Sequence, residues 1–386
     1  MKKYDAVIAG YICVDLIPEF KKNESNESIL NLLKPGKLIE INGLNYTLGG
    51  VVANTGAAMK KFSKNVILNG LIGNDFIGKV AMELLEPYGL SEGIKTIDNK
   101  GTAFGIVIAP SGIDRIFLES PGCSMWFDIN YIDFEAIAQS RLFHFGYPPL
   151  LRKFYINQGA QLVNLFSTVQ KIGVVTSMDF SLPDEESESG KVDWPAIMKE
   201  VLPYTDIFVP SLEEALQILL PNEYARLISI AGNTDIIDIV PIETIREIGN
   251  LIIDSGVKIS LIKAGHRGVY LWTGDVSSIN QKVGFDLNID RWNFRELWCD
   301  AYPTDNSKIV NASGAGDTAS AAFISAILDG ENPITSLKCA AMAGRNNLYC
   351  YDIYRELSDW SEMRDEINQH PNEVVDLKIL RDEYKN

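Results

Sequence analysis

The stretch KIVNASGAGDTASAAFISAIL, Lys308–Leu328, decides the fold reading. Its opening, Lys308–Ser313, predicts a strand. Gly314-Ala315-Gly316-Asp317-Thr318 follows, and Ala319, Ala322, Phe323, Ala326 and Ile327 then recur at helical spacing, with Gly330 as the C-terminal stop. At such a junction two glycines let the backbone turn its N–H groups inward, and the helix N-terminus adds positive potential. That hollow suits a transferring phosphoryl group, with Asp317 at its mouth to take a proton from an attacking hydroxyl. An aspartate there is also a common helix N-cap, so the junction alone leaves both readings open.

Outward from this unit, strand and helix patterns alternate. Tyr4–Gly10, Val66–Gly70, Arg141–Gly146, Gly173–Asp179, Asp206–Pro210 and Lys258–Lys263 are near-continuous apolar runs, as in parallel strands covered on both faces. Helical patterns occupy Asn54–Lys61, Asp75–Tyr88, Glu213–Leu220 and Ile242–Ser255. The expected class is α/β: one domain over residues 1–386 with a doubly wound, mostly parallel sheet and helices on both faces. Lys37–Thr47 and Thr102–Glu119, the latter turning at Ser111–Asp114, lack intervening helices. They predict a small antiparallel β lid drawn from roughly residues 11–48 and 100–120. An aromatic segment, roughly residues 271–307, carries Trp272, Phe285, Trp292, Phe294, Trp298 and Tyr302. It reads as an insertion over a pocket or interface, or, more simply, as a cluster packed on the core. The acidic run Asp184–Asp193 reads as a solvated loop.

Composition narrows the function. Of 386 residues, 35 are Lys or Arg and 51 Asp or Glu, a net charge of −16 that repels nucleic acid and anionic membrane. No apolar run approaches the roughly 20 residues of a membrane span. Asp5 and Asp15 interrupt the N-terminal apolar stretch a signal peptide would need. Five scattered cysteines without a CxxC pair, and three histidines without HxxxH spacing, argue against disulfides and zinc and for a cytoplasmic setting.

Six elements in order resemble the ribokinase-like (pfkB-type) carbohydrate kinases. NASGAGD is similar to the family's D-T-x-G-A-G-D signature, and AGYICVDLIP to its first strand followed by a substrate-binding aspartate, here Asp15. LGGVVANTGAAMKKF resembles the Gly-Gly…Asn element, and GLIGNDFIGKV the G-x-x-G-x-D-x-x-G stretch. VPSLEEA resembles N-x-x-E, and IKAGHRGVYL the nucleotide-contacting G-x-x-G strand end. The resemblance implies a kinase that uses ATP and Mg2+ to phosphorylate a hydroxyl of a sugar or sugar-like polyol. Asp317 would be the base and Gly314, Ala315 and Gly316 the anion hole. Asp15, Gly49, Gly50 and Asn54 would hold substrate. Ser211, Glu214, Lys263, Gly265, Gly268 and Ser313 would lie on the nucleotide, with Glu214 reaching magnesium through water. A homodimer joined through the lids is also implied. Rival readings are a nucleoside or vitamin kinase of the same fold and a ligand-binding relative without turnover.

Several positions depart from the family pattern. Ser211 replaces the asparagine of N-x-x-E, and Asn311-Ala312 replaces Asp-Thr, which argues against activation by a monovalent cation. Asp179, Ser181 and Pro183 stand where many sugar kinases have D-x-N-x-R, and the absent arginine argues against a phosphorylated or acidic sugar. Acceptor choice is expected from lid side chains around Phe104, Ile106, Arg115 and Phe117. Gly73–Val80 nearly spells a P-loop, but Val80 has no hydroxyl for magnesium, and Asp75 reads as a helix cap.

Overall fold

The structure is a computed structural model that describes residues 2–21, 35–108, 116–232, 234–310 and 312–378, apart from the Phe117 side chain. Asn311, Arg115 and the Ser111–Asp114 turn lie outside the described residues.

Fifteen strands are described: β1 (Tyr4–Gly10), β2 (Cys13–Phe20), β3 (Ile41–Gly49), β4 (Val66–Asn69), β5 (Leu71–Gly73), β6 (Lys95–Ile97), β7 (Phe104–Ile108), β8 (Ile116–Ser120), β9 (Ser140–Gly146), β10 (Val175–Met178), β11 (Ile207–Phe208), β12 (Ile259–Lys263), β13 (Val269–Thr273), β14 (Glu296–Cys299) and β15 (Val374–Asp376). Nine form the main sheet in the order β15-β14-β13-β12-β11-β10-β9-β1-β4. From β12 to β4 every pairing is parallel, while β13, β14 and β15 extend the sheet antiparallel.

The apolar runs form parallel strands because both faces are covered. In β1, Ala6 and Ile8 join one core and Val7 and Ala9 the other. The helices Val51–Lys61, Ala315–Leu328 and Pro333–Asn347 cover the first face. Ala160–Ile172, Trp194–Val201, Leu212–Leu219 and Ile242–Asp254 cover the second.

The expected lid is a separate four-stranded sheet, β3-β2-β7-β8. Its two antiparallel pairs, β2–β3 and β7–β8, are joined by a parallel β2–β7 pairing. The aromatic segment enters the core: Trp272, Phe285, Trp292 and Tyr302 are buried, and Trp292 meets Phe323 edge-on at 6.3 Å. Only Phe294 of the six is strongly exposed.

Among the described residues of Lys308–Ser313 the expected strand does not form. Asn306–Lys308 is a turn of 3-10 helix, and Ile309 and Val310 are both exposed. Adjacent apolar residues suggested a strand, but neither finds a core face here. Ile309 and Val310 instead lie outside any sheet, with the Val310 N–H donating to the Leu348 carbonyl.

Candidate active site

The site forms at the C-terminal ends of the parallel strands, where doubly wound sheets place ligands. Gly314 adopts a left-handed conformation, φ 76°, which opens the Ala315–Leu328 helix at low steric cost. The N–H groups of Gly316 and Asp317 have no carbonyl four residues back within that helix and point toward its N-terminal end. Asp317 lies in the first turn and is buried. Its Oδ1 accepts from the Tyr147 hydroxyl at 2.6 Å and its Oδ2 from Asn54 Nδ2 at 2.9 Å. Burial, then the nearby Asp179 charge, raises its pKa, with the bonds from Tyr147 and Asn54 and the Lys263 charge pulling the other way.

Behind this turn lies a buried ion pair. Lys263 Nζ, at the end of β12, contacts Asp179 Oδ1 at 2.8 Å and Oδ2 at 2.9 Å, and Ser320 Oγ at 3.1 Å. A Cβ built on Gly316 would stand 3.6 Å from that ammonium, which therefore lies against the Gly314–Asp317 turn. Burial lowers the Lys263 pKa, but the Asp179, Glu214 and Asp317 carboxylates outweigh it and the net direction is up. Ser211 borders Lys263 by a β-bridge and caps the Leu212–Leu219 helix. Ser211 Oγ accepts from the Glu214 N–H at 3.2 Å, and Glu214 Oε2 accepts from the Ser211 N–H at 2.7 Å. Serine at the family's asparagine position thus forms a capping box with Glu214. Burial raises the Glu214 pKa against the pull of Lys263. Gly265 and Gly268 bracket the turn after β12, both with positive φ.

Asp15 enters from the lid. It pairs with Thr47 on β3 and Gly105 on β7, and its carboxylate fills space that side chains would take. A Cβ on Gly49 would lie 2.5 Å from Asp15 Oδ2, and one on Gly105 2.9 Å from Oδ1. Burial, opposed by the Cys13 thiol bond, pushes Asp15 up to about 6. Gly50 caps the Val51–Lys61 helix, which carries Asn54. Asp15, Ile17, Val107, Asn54 and Ser313 line one pocket together with Cys350, Tyr351, Ile353 and Tyr354.

Asn54, expected on the substrate, thus also donates to Asp317, and Ser313, expected on the nucleotide, lines the Asp15 pocket. On β7 it is Val107, not Phe104 or Ile106, that reaches this pocket. Phe104 and Ile106 pair with Val14 and Leu16, one residue out of phase with Asp15, so they share the opposite face. Sequence reasoning missed Tyr147, the Asp179–Lys263 pairing and the Cys350–Tyr354 wall. Asp75 is a cap as expected: Oδ1 accepts from the Gly78 N–H at 2.8 Å, occupying the helix start that a P-loop phosphate would need. Among the described residues no group of three or more His, Cys, Asp or Glu could hold a metal alone. A magnesium ion here would be completed by nucleotide phosphates and water, the usual habit of that ion. No helix among the described residues is long and apolar enough to cross a membrane.

Comparison with known proteins agrees with this fold. Ribokinase of Arabidopsis thaliana is 25% identical over 345 residues, covering 87% of this chain and 74% of its own. Its structure with ribose and ATP superposes with a TM-score of 0.66 at 19% identity, covering 94% of this chain and 98% of that one. An E. coli protein provisionally named ribokinase II, solved with ATP and Mg2+, gives 0.67 at 18% identity, covering 95% and 100%. The nucleoside kinase of Methanocaldococcus jannaschii gives 0.63 at 15% identity, covering 96% and 100%. Residues 5–285 match the family described as pfkB family carbohydrate kinase. The chain belongs to that family, and it is a phosphotransferase with an alcohol group as acceptor.

Proposed function

We propose that the protein transfers the γ-phosphoryl group of ATP to a hydroxyl of a sugar or sugar-like polyol. The observation that carries this is Asp317, buried in the first turn of a helix and bonded by Asn54, which lines the same pocket as the lid carboxylate Asp15. Asp15 and Asn54 can together accept from and donate to neighbouring hydroxyls, which suits a polyol. The acceptor hydroxyl gives its proton to Asp317 as its oxygen forms the new bond to γ-phosphorus. The bond from that phosphorus to the β–γ bridging oxygen breaks, and ADP leaves with the electron pair. The N–H groups of Gly316 and Asp317 face the charge that develops, with the Lys263 ammonium beside them. Tyr147 and Asn54 hold the base in place. Gly265 and Gly268 shape the nucleotide floor, and Ser211 and Ser313 flank the phosphates. Glu214 would hold magnesium through water, and the ion would supply neutralisation of phosphate charge.

The lid's outer face supports a homodimer. Tyr46, Leu16, Ile106 and Leu118 form an apolar row across all four strands, and Tyr46 and Leu118 are about half exposed. A monomer in sedimentation would remove that reading. The function is tested with a panel of sugars, polyols, nucleosides and vitamin alcohols, following ADP release and phosphorylated product with magnesium and with chelator. Product is expected from a sugar or polyol and only with magnesium. Binding without product from any alcohol refutes the reading.

A further inference from the structure

We propose that the acceptor is an uncharged alcohol, carrying neither phosphate nor carboxylate, and that Tyr351, Ile353 and Tyr354 set the limits of its pocket. This rests on the kinase reading above and specifies the substrate class of the same site. Among the described residues that line the pocket there is one formal charge, Asp15, and no lysine, arginine or histidine. Lys263 is paired with Asp179 at 2.8 Å, and Lys61 donates to the Arg355 carbonyl at 3.5 Å without lining the pocket.

A hydroxyl brought to Asp15 donates to it, whereas a phosphate dianion meets a carboxylate and no counter-ion in a poorly hydrated space. Glu119 adds a second negative group behind Asp15. It holds the Tyr11 hydroxyl, and Cys13 beside them donates to Asp15 at 3.7 Å.

The opposite wall is apolar and fixed. Tyr354 packs on Tyr88 with ring centroids 4.8 Å apart and donates to the Ala53 carbonyl at 3.3 Å. Ile353 abuts the Gly314 turn, 3.2 Å from where a Cβ would stand. Tyr351 is 60% exposed at the rim, so a terminal phosphate emerging there would meet a phenol and not a cation.

The experiment compares ribose with ribose 5-phosphate, and fructose with fructose 6-phosphate. It measures kcat/KM by ADP release and, separately, binding by calorimetry with a non-hydrolysable ATP analogue present. The neutral member is expected to lead by at least ~100-fold in kcat/KM. Y351R should narrow that gap about tenfold by placing a cation at the rim. An ester that equals or exceeds its neutral partner overturns the proposal. If no alcohol gives product, the kinase reading fails and calorimetry still decides this one. Neutral sugar binding with a silent ester upholds it, and tighter ester binding, or no binding by either, overturns it.

Discussion

Asp317→Asn isolates the proposed chemistry from the fold. The change keeps shape but removes the proton acceptor, and general-base catalysis of this kind is worth 10²–10⁴-fold, or about 2.7–5.5 kcal/mol of barrier. Two opposing terms bear on stability. The carboxylate accepts from both Tyr147 and Asn54, whereas an amide accepts from one and turns its NH2 toward the other. Losing one such bond costs about 0.5–1.5 kcal/mol. Against this, burial raises the native pKa of Asp317. The native state therefore binds this proton more tightly than the unfolded chain, and stability declines as pH rises through that raised value. At neutral pH the asparagine escapes that penalty. A near cancellation is expected, with Tm within about 3 °C of wild type. ATP affinity, by calorimetry, should be unchanged or higher, since one negative charge beside the phosphates is gone. Turnover by coupled ADP release should fall at least 100-fold. Activity above about a tenth of wild type, with the fold intact, would refute Asp317 as base.

Three further perturbations probe the surroundings. Acidification should cut kcat/KM, because Asp317 must be ionised to accept a proton and its pKa lies above the usual carboxylate range, while Asp15, at about 6, adds a second loss. A profile flat down to about pH 5 contradicts both assignments. Lys263→Met strands Asp179, whose side chain is 1% exposed, and should cost about 3–5 kcal/mol in urea unfolding, partly recovered in the D179N/K263M double variant. A single variant as stable as wild type removes the structural role of that pair. Gly105→Ala places a methyl 2.9 Å from Asp15 Oδ1 and should raise the acceptor KM about tenfold with ATP KM unchanged; equal effects on both substrates would point to a general distortion.

The parallel half of the sheet was legible because burial on both faces leaves uninterrupted apolar runs, as in Ala6–Ala9 and Val66–Leu68. The same rule misled at Ile309–Val310, where two apolar neighbours have no sheet to join. β2 was hidden because Asp15 and Pro18 break its apolar pattern. Residue types on β7 were readable but not their phase, so Phe104 and Ile106 were assigned to a pocket that Gly105 and Val107 face. The Tyr147–Asp317 and Asp179–Lys263 contacts join residues 170 and 84 positions apart, and no local spacing encodes them.

The three-residue β15 has a consequence for handling the protein. It covers the open edge of β14, and Arg246 fastens the crossing by bonding Glu296 at 2.7 Å and the Leu377 carbonyl at 2.9 Å. Trimming before residue 373 would leave the β14 hydrogen-bonding rim of the remaining eight-stranded sheet bare, beside an uncovered Trp298 indole. Such a fragment offers a template to its own kind, and its loss from solution would reflect sticky self-pairing before any defect in phosphate chemistry.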